Sequence, residues 1–268
     1  MHGLDMYDFN ARFYCPYTMR PGVPDPLAEL RPWESPYSFF GNNPVNRIDP
    51  TGMIWELSGL TDEQREIWQQ KIEYMTQNSP LFSAMYNQLS NSETTYFVNV
   101  GPTIFVPGSG SADGQFNSRT NTITFSSEAT MVSPSVLSEE MFHAFQQDNI
   151  ANYAGSIFNR EFEAKVAVTA IGLEAGTGYN EYRGMGDFQQ KILFGTFEEG
   201  LMPISPRNVS NNPTNLVHSS SFLYNYTRAA NAYGIYNTVH GIGNQHYKSF
   251  TTVAPYSLQR LITNAYGR

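Results

Sequence analysis

The feature of the sequence that most restricts the fold is a change of residue pattern near position 53. Before it, Pro, Gly, Asn, Asp and aromatic residues follow one another without helical periodicity, which predicts short strands and tight turns. After it, Thr61 and Gln64 form the pattern of a helix capping box, and apolar residues then recur at helical spacing. The change predicts two parts, a β-rich segment at 1–53 and a larger domain at 54–268.

The larger part alternates between helical and strand patterns. Apolar spacing and capping residues predict helices over 62–76, 80–89, 133–147 and 156–175, the last ended by Gly176, with helical patches at 214–232 and 256–265. Runs of Thr, Val, Ile and aromatic residues predict strands at 94–100 and 120–125. The Gly/Ser-rich segment 108–114 between them is typical of a flexible hairpin turn. This order of elements indicates an α+β fold.

Charge and composition argue against several classes of function. The chain has 16 Lys and Arg against 24 Asp and Glu, a net charge of -8, which disfavours a nucleic-acid partner. A single cysteine, Cys15, excludes an intramolecular disulfide and a cysteine-based zinc cluster, so a metal would have to be held by His and carboxylate side chains. The chain has no run of about 18 apolar residues and no basic N-terminal region followed by an apolar run. We therefore predict no membrane span and no cleavable signal peptide.

Three motifs in the first 52 residues resemble the C-terminal end of the RHS repeat-associated core. They are YDFNARFY at 7–14, DPLAE at 25–29 and WESPYSFFGNNPVNRIDPTG at 33–52, in this order. In RHS proteins the core closes a β cocoon, and a variable toxin domain follows the DPxG signature. The resemblance implies that 1–53 is the end of such a core. It also implies that 54–268 is a secreted polymorphic toxin, an effector of interbacterial competition that acts inside a target cell.

The RHS resemblance also implies partners and a processing site. The partners are the rest of the RHS core, the secretion apparatus that would deliver the domain without a signal peptide, and a cognate immunity protein. RHS cores can cut themselves near this point through aspartates, and Asp49 and Asp25 match the acids of that pattern. Both aspartates are equally compatible with a role as turn caps.

One predicted helix carries an EExxH pattern, within LSEEMFHAFQQ at 137–147. Positions i and i+4 share a helix face, so Glu139 and His143 are neighbours, and Glu140 lies about 100° round the helix from Glu139. This is the arrangement of the HExxH zinc helix with its first ligand changed from His to Glu. Glu163 follows twenty residues after His143, on the next predicted helix. The interval resembles that of the thermolysin-like gluzincins, in which a glutamate from the next helix completes the metal site.

This pattern predicts a metal site that serves hydrolysis. A catalytic zinc ion needs three protein ligands and an open position for water, so we expect Glu139, His143 and Glu163 as ligands, with Glu161 in reserve. Glu140 would be the general base that takes the proton of the attacking water. Two carboxylates and one imidazole nearly cancel the charge of zinc. That weakens the Lewis acid unless another group compensates, and it makes Mn²⁺ or Fe²⁺ possible alternatives.

The EExxH helix and the helix after it together resemble a zincin-like toxin variant of RHS proteins. The resemblance implies an α+β domain with a small antiparallel sheet and an active-site helix pair, and a metal-dependent peptidase activity. The strand around Ile123 precedes the candidate metal helix, so we expect an extended polypeptide substrate to pair there. Two other functions stay open, a non-catalytic binding toxin on the same scaffold and a different metal-dependent hydrolase, such as a nuclease or a cell-wall amidase.

A purely structural interpretation of the same residues is a solvated helix face. Glu139 would then pair with His143, and Glu163 with Arg160. The other histidines carry weaker signals. His240 and His246 flank a glycine-rich loop and could donate to a developing negative charge, although such residues more often bond backbone. His218 lies beside three serines without a nucleophile-elbow pattern, so we expect no Ser/His catalysis.

Overall fold

The structure of the protein is a computed structural model. It describes residues 7–8, 13–15, 17–18, 20–24, 35 and 37 near the start, then 55–149 with gaps at 93, 104 and 107–109, and then 157–177, 218, 220–239 and 253–267. The described residues combine helices and strands in one α+β arrangement, as the order of elements predicts. Asp25, Asp49, His240 and His246 lie outside the described residues.

The described part of the first segment is a small antiparallel sheet. Its strands are β1 (Tyr7–Asp8), β2 (Phe13–Cys15) and β3 (Arg20–Pro21), in the order β1-β2-β3. Both pairings are antiparallel. Short strands are what the Pro- and Gly-rich pattern predicts here.

Two helices open the second part of the chain, and their ends are encoded locally. α1 (Asp62–Asn78) begins at Thr61, whose side chain accepts from the Gln64 amide while the Gln64 side chain accepts from the Thr61 amide. This confirms the predicted capping box. α2 (Pro80–Ser90) begins at Ser79, whose hydroxyl accepts from the Phe82 amide 3.0 Å away.

A four-stranded sheet forms the β layer of the domain. The chain contributes β4 (Glu56–Gly59), β5 (Phe97–Val100), the short pair β6 (Phe105–Val106) and β7 (Gly110–Ser111), then β8 (Gly114–Asn117) and β9 (Thr122–Phe125). The sheet order is β4-β5-β9-β8, and β6 pairs only with β7. β6 and β7 pair antiparallel, but β7 and Gly114 of β8 lie inside 108–114, so the prediction of a single flexible turn over that whole segment is wrong. β8 is a strand that the Gly- and Asn-containing sequence does not predict.

The sheet is mixed rather than antiparallel, which corrects one prediction. β4, β5 and β9 run parallel, and only β8 is antiparallel to its neighbour. The physical reason is the length of the connections, since α1 and α2 carry the chain back to the starting end before β5 begins. Among the described strands β9, which contains Ile123, is therefore central with both edges paired, and β4 and β8 lie at the two edges of the sheet. The prediction that a substrate pairs at Ile123 is wrong for this reason.

The described part of the chain contains five more helices. They are α3 (Glu128–Met131), α4 (Pro134–Asp148), α5 (Ile157–Glu174), α6 (Ser220–Val239) and α7 (Tyr256–Tyr266). Four of them confirm the predicted helices and helical patches. α5 ends as predicted, because Gly176 adopts the left-handed conformation at φ 64 and the Thr177 amide donates back to the Gly172 carbonyl.

The core lies between the sheet and the helices that cover it. α4 packs on α5, α2 and β8, and α2 also contacts α5 and α7. At the β4 end, Trp55 stacks on Tyr86 with ring centroids 5.9 Å apart. At the α5 end, Phe162 meets Tyr226 edge to face at 5.1 Å. Burial of each such aromatic side chain stabilises the fold by roughly 1.5–3 kcal/mol, and the packing holds α4 and α5 side by side.

Within the described part of the chain, none of the helices has both the length and the apolar character needed to cross a bilayer.

Candidate metal site between two helices

The candidate site lies where α4 and α5 face each other, and each helix contributes two partly exposed side chains. Within 137–146 of α4, every residue except Glu139 and His143 is buried. Within 161–172 of α5, every residue except Glu161 and Lys165 is buried. Each pair is one helical turn apart, so each helix presents one narrow part-exposed face beside an otherwise buried surface.

Three of these side chains come together as a possible metal site. Ligand atoms of Glu139, His143 and Glu161 all lie within 4.8 Å of one another. The Nε2 atom of His143 is 3.8 Å from Oε1 of Glu161. One imidazole nitrogen and two carboxylates are donors that divalent cations such as zinc accept. The group therefore fits a metal ion, with Glu161, the reserve residue of the sequence analysis, as its member from α5.

Glu163 faces away from this group. A residue two positions after Glu161 is rotated by about 200° on a helix, so the two carboxylates cannot share a face. Oε1 of Glu163 accepts from the Leu258 amide at 2.9 Å, and Oε2 accepts from Nε2 of Gln146 at 2.9 Å. Helix α7 has no side-chain cap at Pro255, so Glu163 serves as its cap from another helix. Neither oxygen contacts Glu139, and the solvated pairing of Glu163 with Arg160 is not formed.

Gln146 links Glu163 to His143 and orients the imidazole. Nε2 of Gln146 donates to both the Arg160 carbonyl and Glu163, so its Oε1 is the atom that faces Nδ1 of His143 at 2.9 Å. The oxygen accepts, which places a proton on Nδ1. Nε2 of the same ring then faces Glu161 and is the nitrogen available to a cation.

Lys165 supplies the positive charge nearest to the candidate ligands. Its Nζ donates to Oε1 of Glu139. The ion-pair partner of Glu139 is therefore Lys165 rather than His143, the partner expected for a solvated helix face. Burial acts to raise the pKa of Glu139, but Lys165 and then His143 outweigh it and lower that pKa. Burial would lower the pKa of His143, yet the surrounding carboxylates, led by Glu161, raise it.

Glu140 lies beside this group and against the edge strand. Its side chain is buried, and that burial is the largest cause that raises its pKa to about 7. A Cβ atom at Gly114 of β8 would lie only 2.7 Å from Cγ of Glu140, so the strand passes this carboxylate as closely as a glycine permits. A carboxyl with a pKa near neutrality can accept and return a proton at neutral pH.

Two residues of this environment, Lys165 and Gln146, were not predicted from the sequence. The signal for Lys165 is its place one turn after Glu161, and that for Gln146 is its place three residues after His143. His218, the remaining described histidine, is exposed.

The chain was compared with models of protein families, with curated proteins and with solved structures, and nothing matched in any of the three.

Proposed function

We propose that the domain after residue 53 is a metal-dependent peptidase of the zincin-like type and that the whole chain is the C-terminal part of an RHS toxin. The observation that carries the enzymatic part is the group of Glu139, His143 and Glu161, with the buried Glu140 next to it on α4. The toxin part is supported by the three RHS-like motifs of residues 7–52.

In this proposal Glu139, His143 and Glu161 would hold the cation, and zinc is the ion we favour. Glu161 replaces Glu163 in the predicted ligand set because both oxygens of Glu163 are engaged by Gln146 and α7. When bound, zinc supplies a Lewis acid that polarises a substrate carbonyl and makes water more acidic. Gln146 holds His143 in the tautomer that leaves Nε2 available.

Glu140 would move the proton in this reaction. Its carboxylate takes the proton of the attacking water and later donates it to the amine of the leaving peptide. The apolar surroundings that raise its pKa to about 7 suit both steps, since the protonated and ionised forms are both present at neutral pH.

Edge strand β8 favours an extended polypeptide as the substrate. Among the strands that the structure describes, β8 pairs with β9 on one side and is the last strand at that end of the sheet. An extended chain that added to this edge would lie along the strand that contacts Glu140 through Gly114. A polypeptide therefore reaches the general base in this proposal, whereas a net charge of -8 disfavours a nucleic acid.

The proposal is tested with full-length wild-type protein and three variants. Zinc content after dialysis is measured by elemental analysis, and toxicity is measured in a sensitive cell that lacks an immunity protein. We expect Glu140→Gln to keep zinc and lose toxicity, and His143→Ala to lose both. His218→Ala, at an exposed histidine, is the matched control and should behave as wild type.

Two results would refute the proposal, each in favour of a different alternative. Toxicity without stoichiometric zinc and without sensitivity to chelators would favour the binding toxin. Incubation of the protein with a proteome, with nucleic acid and with peptidoglycan shows which one is shortened, and cleavage of either of the last two would favour another hydrolase.

A further inference from the structure

The ammonium of Lys165 occupies a position that matters for a cation at this site. It donates directly to Oε1 of Glu139, one of the three candidate ligands. Both side chains are about one-fifth exposed, so the pair is held between the helices rather than free in solvent. Charges at that depth are only partly screened by water.

The contact changes the charge that the site offers to a metal. Glu139 and Glu161 carry two negative charges, and Lys165 returns one positive charge beside the first of them. The ligand set together with Lys165 therefore has a net charge of one negative rather than two. The site then resembles electrostatically one with a single carboxylate and two neutral ligands.

The position of Lys165 on α5 explains how one residue can do this. Lys165 follows Glu161 by one turn on the only part-exposed face of the helix between 161 and 172. From there Glu161 reaches His143 while Lys165 reaches Glu139. A histidine ligand is generally oriented by a carboxylate that accepts from its ring, and a carboxylate ligand needs the opposite, a donor. Lys165 supplies that donor to Glu139.

We propose that Lys165, through its contact with Glu139, lowers the affinity of the site for a divalent cation by offsetting the charge of that carboxylate. The proposal rests on the proposed function for the presence of the cation. It answers the question raised by the EExxH sequence, namely which group compensates for a glutamate in the place of the first histidine.

A salt bridge that only joined α4 to α5 would act differently. Removal of Lys165 would then destabilise the fold and weaken cation binding along with it, since the ligands come from both helices. The proposal instead predicts that removal of Lys165 strengthens cation binding. Loss of one positive charge within several ångströms of a divalent ion strengthens binding by about tenfold even at the dielectric constant of water, and by more in a partly buried site.

The experiment measures zinc affinity by competition with a chromophoric chelator, and the melting temperature with and without zinc. It uses the full chain as wild type, Lys165→Met, Lys165→Gln and Lys165→Arg. Lys165→Gln keeps a donor for Glu139, which guards against loss of the fold. Lys71→Met, on α1, is the control for loss of a lysine elsewhere.

We expect Lys165→Met and Lys165→Gln to bind zinc at least tenfold more tightly than wild type, and to gain more in melting temperature on zinc addition. Lys165→Arg, which keeps the charge, should stay near wild type, as should Lys71→Met. Unchanged or weaker binding in both uncharged variants, with zinc bound by wild type, would overturn the role of Lys165 and leave the proposed function standing.

The same titration separates the two proposals in the opposite case. Zinc bound by the uncharged variants but not by wild type would support the charge effect of Lys165 and overturn the metal-dependent function. Zinc bound by none of these proteins would overturn both.

Discussion

Replacement of the buried Glu163 by Gln should change how the stability of the fold depends on pH. Glu163 is 1% exposed, and burial is the main cause that raises its pKa from 4.5 to about 7, against hydrogen bonds from Leu258, Gln146 and Ser257 that lower it. At about 1.36 kcal/mol per pKa unit, the difference corresponds to about 3.4 kcal/mol in full. Between pH 5 and pH 7, the free energy of unfolding should fall by about 2 kcal/mol because of this group.

The sign follows from where the proton binds more tightly. Between pH 4.5 and about 7 the native state keeps a proton on Glu163 that the unfolded chain releases. Stability from this group is therefore present at low pH and is lost as the pH rises through 7. Glu140, whose pKa is raised to about 7, and His143 and Glu174, whose pKa values are also raised, act in the same direction. Glu163→Gln should therefore remove only the contribution of Glu163, about 2 kcal/mol between pH 5 and pH 7.

Urea denaturation at pH 5, 6, 7 and 8 measures this slope, with a chelator present so that no cation changes the titration of the carboxylates. Glu66→Gln, at an exposed position of α1, is the control and should keep the wild-type slope. In Glu163→Gln an NH₂ group replaces one acceptor oxygen, so the hydrogen bond from Nε2 of Gln146 is lost. This loss costs about 1–3 kcal/mol at every pH and leaves the slope unaffected. Equal slopes for wild type and Glu163→Gln would refute the reasoning.

Two further predictions concern close packing and a buried carboxylate. Gly114→Ala should destabilise the fold by about 1–3 kcal/mol, because the new Cβ atom would lie 2.7 Å from Cγ of Glu140. The same clash should impair the proposed hydrolysis in the metal-loaded protein, and wild-type turnover in this variant would contradict this prediction. Glu174→Gln should cost about 1–3 kcal/mol in urea denaturation, because an amide cannot accept from both Ser79 and Tyr266 as the carboxylate does. A change below 0.5 kcal/mol would show that these hydrogen bonds are replaced by water.

Much of the helical framework could be predicted from local sequence. The capping box at Thr61, the left-handed Gly176 and the apolar spacing of α4 are each decided within one or two turns of helix. The shared face of Glu139 and His143 follows from helix geometry alone. These features need no information from distant parts of the chain.

The choice between Glu161 and Glu163 could not be made in this way. Both lie on α5 at spacings that suit a third ligand, and the rotation of α5 about its axis decides which one reaches Glu139 and His143. That rotation depends on what covers the opposite face, including the amide of Leu258, almost a hundred residues later in the chain. Strand β8 was missed for a related reason, since its sequence GQFN becomes a strand only by pairing with β9.

The candidate ligands, the proposed general base Glu140 and Lys165 all lie between residues 139 and 165 of the chain. Little chain entropy is lost when segments so near in sequence meet, because the cost of closing a loop grows with its length. The contacts among these residues are therefore local in sequence, and such contacts can form before more distant ones. Docking of α7, whose first turn Glu163 caps, is a contact between distant parts of the chain and can follow more slowly.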